Sequence, residues 1–209
     1  MSAPPPTERT VVHLVRHGEV HNPDGVLYGR LEGFGLSARG ERGAAAAAAY
    51  LGRRDVVVLS SSPLERARHT AAPLADLIGV VAGVDERLTE ASSLLEGRKV
   101  DMGRSMLRQP HLWPALWNPW RPSWGEPFRD VAARMWEAVN DARSTAAGHE
   151  AVLVSHEMPI WVTRRRAEGR RPAHHPRRRQ CALASVTSLH FADDRVVGVE
   201  YAEPVSAGA

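Results

Sequence analysis

Three short apolar runs along the chain each stop abruptly at polar residues. Residues 11–15 are apolar but for His13 and end at Arg16-His17-Gly18; residues 56–59 end at Ser60-Ser61-Ser62; residues 151–154 end at Ser155-His156. Short unbroken runs of this kind predict strands covered on both faces, as in a parallel sheet. Between them the spacing turns helical. Residues 37–51 predict a helix with Ser37 as N-cap, Glu41 near its first turn and Gly52 as its stop. Pro63 opens a second helix running to about Ile78, residues 128–146 a third, and a fourth follows Pro159. Residues 79–84 predict a third short strand, and residues 184–191 and 195–201 a closing pair turned at Asp193-Asp194. This alternation predicts a three-layer α/β/α sandwich with a mostly parallel central sheet.

Periodicity fades over residues 91–125. Trp113, Trp117, Trp120 and Trp124 fall in a Pro-interrupted stretch that cannot be one helix, and it reads as a lid-like insertion that packs on the core and roofs a cleft. Gly125-Glu126-Pro127 reads as the start of the third helix. The 209 residues suit one domain, here 10–203, with a Pro-rich tail over 1–9 and a short one over 204–209. The longest small-residue run, residues 44–49, is far too short to span a bilayer, and no secretory apolar stretch follows a basic start. Lone Cys181 excludes an intramolecular disulfide and fits a reducing cytoplasm.

The formal charge of +3 hides an asymmetry. Residues 164–179 hold eight arginines and one acid, Glu168, so the rest of the chain is net negative; Lys99 is the only lysine. The segment 164–180 reads as a solvated loop, or as one whose arginines attract anionic ligands. It lacks the interleaved aromatics of a nucleic-acid patch, so no nucleic-acid partner is expected. No membrane partner is expected either, and a homodimer is compatible with the sequence.

Ligands of open α/β sheets bind beyond the carboxyl ends of the strands. The three polar run ends therefore converge on one cleft with His17, His156 and Arg16, joined by Arg66 if the helix at Pro63 starts there. His13, inside the first run, reads as structural. The ten histidines do not spell a metal site: residues 156–160 lack the second histidine of a zinc-protease helix, His174-His175 are adjacent, and one cysteine cannot form a thiolate site. No metal and no cofactor are expected.

Residues 14–19 (LVRHGE) resemble the signature of the histidine phosphatase, or phosphoglycerate mutase-like, superfamily; residues 61–71 (SSPLERARHTA) resemble its second motif and residues 154–156 its third. The resemblance covers residues 10–191 and implies roles for matching positions. His17 would be the nucleophile that is transiently phosphorylated; Arg16, Arg66 and His156 would hold the phosphoryl oxygens. Gly18 would let the backbone turn closely under the phosphate, with Asn22 and Arg30 as further substrate contacts. Glu90 would be the proton donor and later the base.

The sequence departs from the family pattern in places. Asn22 lies five residues after His17 rather than six. Leu94 stands where a glycine is usual, and Glu96-Gly97 comes one residue early. Glu96 and Glu19 therefore remain alternative acids. Only 65 residues separate Glu90 from His156, fewer than in glycolytic mutases of the family. The resemblance thus implies a phosphomonoester hydrolase of the histidine acid phosphatase type, acting on a small phosphorylated metabolite. A mutase is the rival, and a noncatalytic arginine-rich nucleic-acid binder the alternative of another class.

Overall fold

The computed structural model describes residues 9–99, 125–174 and 179–204. Residues 1–8 and 205–209 of the expected tails, most of the Trp-rich insertion with its four tryptophans, and His175, Arg177 and Arg178 lie outside them, while Arg9, expected in the tail, begins the first strand. Strands β1 (Arg9–Arg16), β2 (Val56–Ser61), β3 (Gly83–Val84), β4 (Glu150–Ser155), β5 (Val186–Ala192) and β6 (Arg195–Ala202) form one sheet in the order β3-β2-β4-β1-β5-β6. The first four strands in that order run parallel; β5 and β6 are antiparallel. Helices α1 (Ala38–Leu51), α2 (Glu65–Ile78), α3 (Phe128–Thr145) and α4 (Glu157–Ala167) cover the two faces.

Strand alternation sorts the core into two halves. Val12 and Leu14 of β1 and Ala151 and Leu153 of β4 pack with Val131 and Met135 of α3 and Ile160 of α4. Val15, Val152 and Val154 point the other way, onto Ala47, Ala48 and Leu51 of α1 and Ala67, Ala71 and Leu74 of α2. The outcome is the expected α/β/α sandwich. Alanines are strong helix formers and slender; they let α1 lie close to both sheet and α2. Ser37 caps α1 by accepting from the Gly40 amide.

Some boundaries differ from expectation. Only Gly83–Val84 of the third strand forms, because Gly79 (φ 70°) caps α2 in the left-handed region and the next residues are only a connector. Helix α4 begins at Glu157, before Pro159, since proline is tolerated in a first turn that needs no intrahelical N–H bond. Arg164, Arg165 and Arg166 therefore form the last turn of a helix and not a loop, where cations suit the dipole.

Candidate active site

The parallel strands end side by side. The His17 amide donates to the Ser155 carbonyl at 3.0 Å, and the Ser62 amide to the Val154 carbonyl at 2.9 Å. The residues following β1, β2 and β4 are thereby held against one another, and helix α2 leaves with Arg66 in its first turn. Arg16, His17, Arg66 and His156 do converge: the two imidazole centroids are 5.1 Å apart, and the Arg66 guanidinium lies 4.8 Å from the Tyr28 ring, itself 6.2 Å from His17.

His17 is 2% exposed, and its Nδ1 donates to the Gly18 carbonyl at 2.8 Å. A carbonyl can only accept, so the proton is fixed on Nδ1 and the lone pair on Nε2. Burial, and then the Arg66 charge, push the His17 pKa down to about 3. The ring is neutral at neutral pH. His156 is fully buried, its Nε2 2.8 Å from Ser62 Oγ, and burial lowers its pKa well below the usual range.

Arg16 donates from Nη1 to the Cys181 carbonyl at 2.5 Å, and its Nη2 pairs with Glu157 at 2.9 Å. Arg66 donates from Nη2 to the Gly29 carbonyl at 2.5 Å. Arg16 Nε, Arg66 Nε and His156 Nδ1 are buried without a partner among the described residues. An unpaired buried polar atom costs about 1–3 kcal/mol. Three such nitrogens gathered near His17 are suited to an anion with several acceptor oxygens.

The three carboxylates differ. Glu90 is half-buried, accepts the Ala91 amide at 2.9 Å and acts electrostatically on Arg66 and Tyr28; burial raises its pKa, opposed by Arg179 and Arg66. Glu19 is engaged elsewhere, accepting from Ser37 Oγ at 2.8 Å and pairing with Arg39 at 3.3 Å at the start of α1. Glu96 accepts the Ser93 amide at 3.1 Å.

The other expected contacts are placed as follows. The Gly18 amide donates to Thr70 Oγ1 at 3.0 Å, and a Cβ on Gly18 would come within 2.5 Å of the Gly40 carbonyl oxygen. Its smallness thus serves the packing of the loop onto α1. The Asn22 amide closes its own loop on Val26, donating to the carbonyl at 2.8 Å and accepting the amide at 3.0 Å. Arg30 donates to the Glu90 carbonyl at 2.6 Å and to Glu126 at 2.9 Å, and Arg134 also grips Glu126, so Arg30 ties down the Glu90 loop. Tyr28, Ser62, Thr70, Glu157 and His174 are not among the expected site residues, and Arg179 is expected only as one of a segment whose charge attracts anions. Ser62 and Thr70 lie inside motifs already singled out; no spacing in the sequence joins Tyr28, Glu157, His174 and Arg179.

Among the described residues no cluster of three His, Cys, Asp or Glu side chains could hold a metal ion, and no helix is long and apolar enough to cross a membrane.

The family model of the histidine phosphatase superfamily (branch 1) matches residues 12–204. "Uncharacterized protein Rv0525" of Mycobacterium tuberculosis is 53% identical over 199 residues, covering 95% of this chain and 98% of its own length. "Probable phosphoglycerate mutase GpmB" of Yersinia enterocolitica is 30% identical over 184 residues, 84% of this chain and 83% of that protein. The native structure of mycobacterial glucosyl-3-phosphoglycerate phosphatase Rv2419c superposes with a TM-score of 0.75 at 27% identity, covering 92% of this chain and 97% of that one. With two histidines and two arginines gathered at the strand ends and a family match across nearly the whole fold, the chain belongs to the histidine phosphatase superfamily, branch 1.

Proposed function

We propose that the protein hydrolyses phosphomonoesters of a small metabolite through a phosphohistidine at His17, without a metal. The observation that carries this reading is the oriented neutral imidazole, with Nε2 unprotonated, beside the three unpartnered buried nitrogens of Arg16, Arg66 and His156. Nε2 attacks phosphorus in line, the P–O bond to the leaving group breaks, and the departing oxygen takes its proton from Glu90, whose raised pKa suits an acid. Arg16 Nε and Arg66 Nε donate to the phosphoryl oxygens. His156 donates from Nδ1 when Ser62 Oγ–H bonds its Nε2, which places the imidazole proton on the cleft side. Glu90, now a carboxylate, then takes a proton from water as the water oxygen attacks phosphorus. The N–P bond breaks, inorganic phosphate leaves, and His17 regains its starting tautomer.

Quenching turnover of labelled substrate tests the reading. The expected label is acid-labile, base-stable and on His17; label on Ser60, Ser61 or Ser62 overturns it. Activity on an aryl phosphate should persist in chelator. A phosphoglycerate mutase is the second reading, supported by the 30% identity to GpmB. Release of inorganic phosphate from 3-phosphoglycerate without isomerisation separates the two.

A further inference from the structure

Behind Arg16 a chain of contacts leads away from the phosphoryl cradle. Glu157, the first residue of α4, sits where a helix N-terminus favours an anion. One of its oxygens takes Arg16 Nη2 at 2.9 Å and the other takes Arg179 Nη1 at 3.3 Å. Arg179 in turn donates from Nε to His174 Nε2 at 2.7 Å, while His174 Nδ1 donates to the Pro172 carbonyl at 2.7 Å. That carbonyl fixes the proton on Nδ1 and leaves Nε2 an acceptor. Burial keeps the ring neutral, its pKa pushed down to about 4, and Phe128 and Trp161 lie against it at 5.0 and 6.0 Å. All members are mostly shielded: the side chains of Arg16, Glu157 and Arg179 are 17%, 30% and 18% exposed.

Arg16 is thus gripped at both terminal nitrogens, by Cys181 and Glu157, and its Nε is turned inward with no partner. The contacts argue against Arg179 as a second anion subsite: its Nη1 pairs with Glu157 and its Nε donates to His174.

We propose that His174 and Arg179 form a positioning relay that holds Glu157, and through it the Arg16 guanidinium, in register with the phosphoryl group in the transition state. The inference rests on the phosphoryl-transfer reading of the site. It assigns Arg179 a fixed structural task that a lysine cannot perform. A fork donates in two directions, to His174 and Glu157, whereas an ammonium reproduces the charge and not the geometry.

The test uses the full chain and inhibition of aryl phosphate hydrolysis by orthovanadate, which mimics the five-coordinate transition state, and by inorganic phosphate. Arg179→Gln and Glu157→Gln should each weaken vanadate by about tenfold and lower kcat similarly, with phosphate inhibition and KM changing less than about twofold. Arg179→Lys should fail to rescue, at low or high salt. In the double variant the second change should add less than about twofold, as expected for groups acting in series. The proposal is overturned if Arg179→Lys restores wild-type values at low salt, which is charge steering. It is equally overturned if the two effects multiply, or if Arg179→Gln lowers the melting temperature and leaves vanadate inhibition unchanged. A wild type that neither hydrolyses aryl phosphate nor binds phosphate would remove the reading of the site itself, and the relay with it.

Discussion

Two histidines four positions apart mark the middle and the end of the same strand. His13 is 0% exposed and both ring nitrogens are matched: Nδ1 to Ser188 Oγ at 2.8 Å and Nε2 to Glu150 at 2.7 Å, with Arg54 behind the carboxylate at 3.7 Å. His17 is nearly as buried, but only Nδ1 is held. Around His13 both ring nitrogens find a partner; around His17 three buried nitrogens have none among the described residues. Burial therefore does not separate structural from chemical histidines. The two rings differ in whether the polar groups around them are satisfied within the fold.

The widest separation comes from removing each ring. His17→Ala should abolish labelling and lower kcat by at least ~10³-fold, because no other group can form the N–P bond. Its melting temperature should fall little in comparison. His13→Ala should do the reverse, leaving kcat within about twofold. It strands Ser188 and Glu150, costs about 2–3 kcal/mol, and lowers the melting temperature by roughly 4–12 °C. Activity assays and thermal melts on both variants decide the contrast; a His13→Ala enzyme that melts normally but is inactive would erase it.

The contrast also shows what could be read before the fold was known. The apolar runs of β1, β2 and β4 ending at polar residues bring His17, Ser62 and His156 to one end of the sheet, because a strand buried on both faces carries its polar groups chiefly at its end. The two-faced core is legible for the same reason. Less legible was anything set by contacts distant in sequence. Glu19 keeps the carboxylate expected of an acid, yet the close approach of Gly18 to Gly40 brings it to the start of α1, where Ser37 and Arg39 bind it. Arg30, expected at the substrate by position, also clamps Glu126 and the Glu90 carbonyl, a tie that its position does not announce. Glu157 and Arg179 meet across 22 positions through a helix and a loop, a distance that no periodicity encodes.

Glu90 sharpens the comparison next, since its carboxyl is raised by burial where Glu150 beside His13 is lowered, chiefly by its hydrogen bond to that ring. One carboxyl is suited to giving up a proton during turnover; the other stays ionised in a structural pair. Glu90→Gln should slow alkyl phosphates by about 10²–10⁴-fold and aryl phosphates by less than about tenfold, because a phenolate needs little protonation on leaving. Equal slowing of both would move the acid to Glu96.

Acid titration probes the same difference through stability. The native pKa of His17 lies near 3, below the unfolded value of 6.5, and His156 and His174 shift in the same direction. Below pH 6.5 the unfolded chain binds protons that the native one refuses, so stability is full above that pH and is lost as pH falls toward 3. Each such ring contributes a slope of about 1.4 kcal/mol per pH unit inside its window. Glu90 works oppositely, favouring the native state at low pH until it ionises. Melting temperatures measured between pH 7 and 5 should fall less steeply for His17→Ala than for the wild type; parallel curves would mean that the ring is not held neutral.

The smallest effect is expected from the arginines that the relay does not use. Arg177 and Arg178 lie outside the described residues, and their expected role rests on charge alone: they belong to the segment of eight arginines against one acid. Charge acting at a distance raises the local concentration of an anionic substrate and is screened beyond about 10 Å at 0.1 M salt. Replacing both by glutamine with Arg179 intact should therefore raise KM for a phosphomonoester by no more than about threefold at low salt, leave kcat unchanged, and have no effect at high salt. A loss of kcat, or a KM change that survives high salt, would mean that they touch the substrate or the cleft directly. The distinction drawn on β1 would then extend to this segment, with Arg177 and Arg178 joining Arg179 among the residues fixed for chemistry.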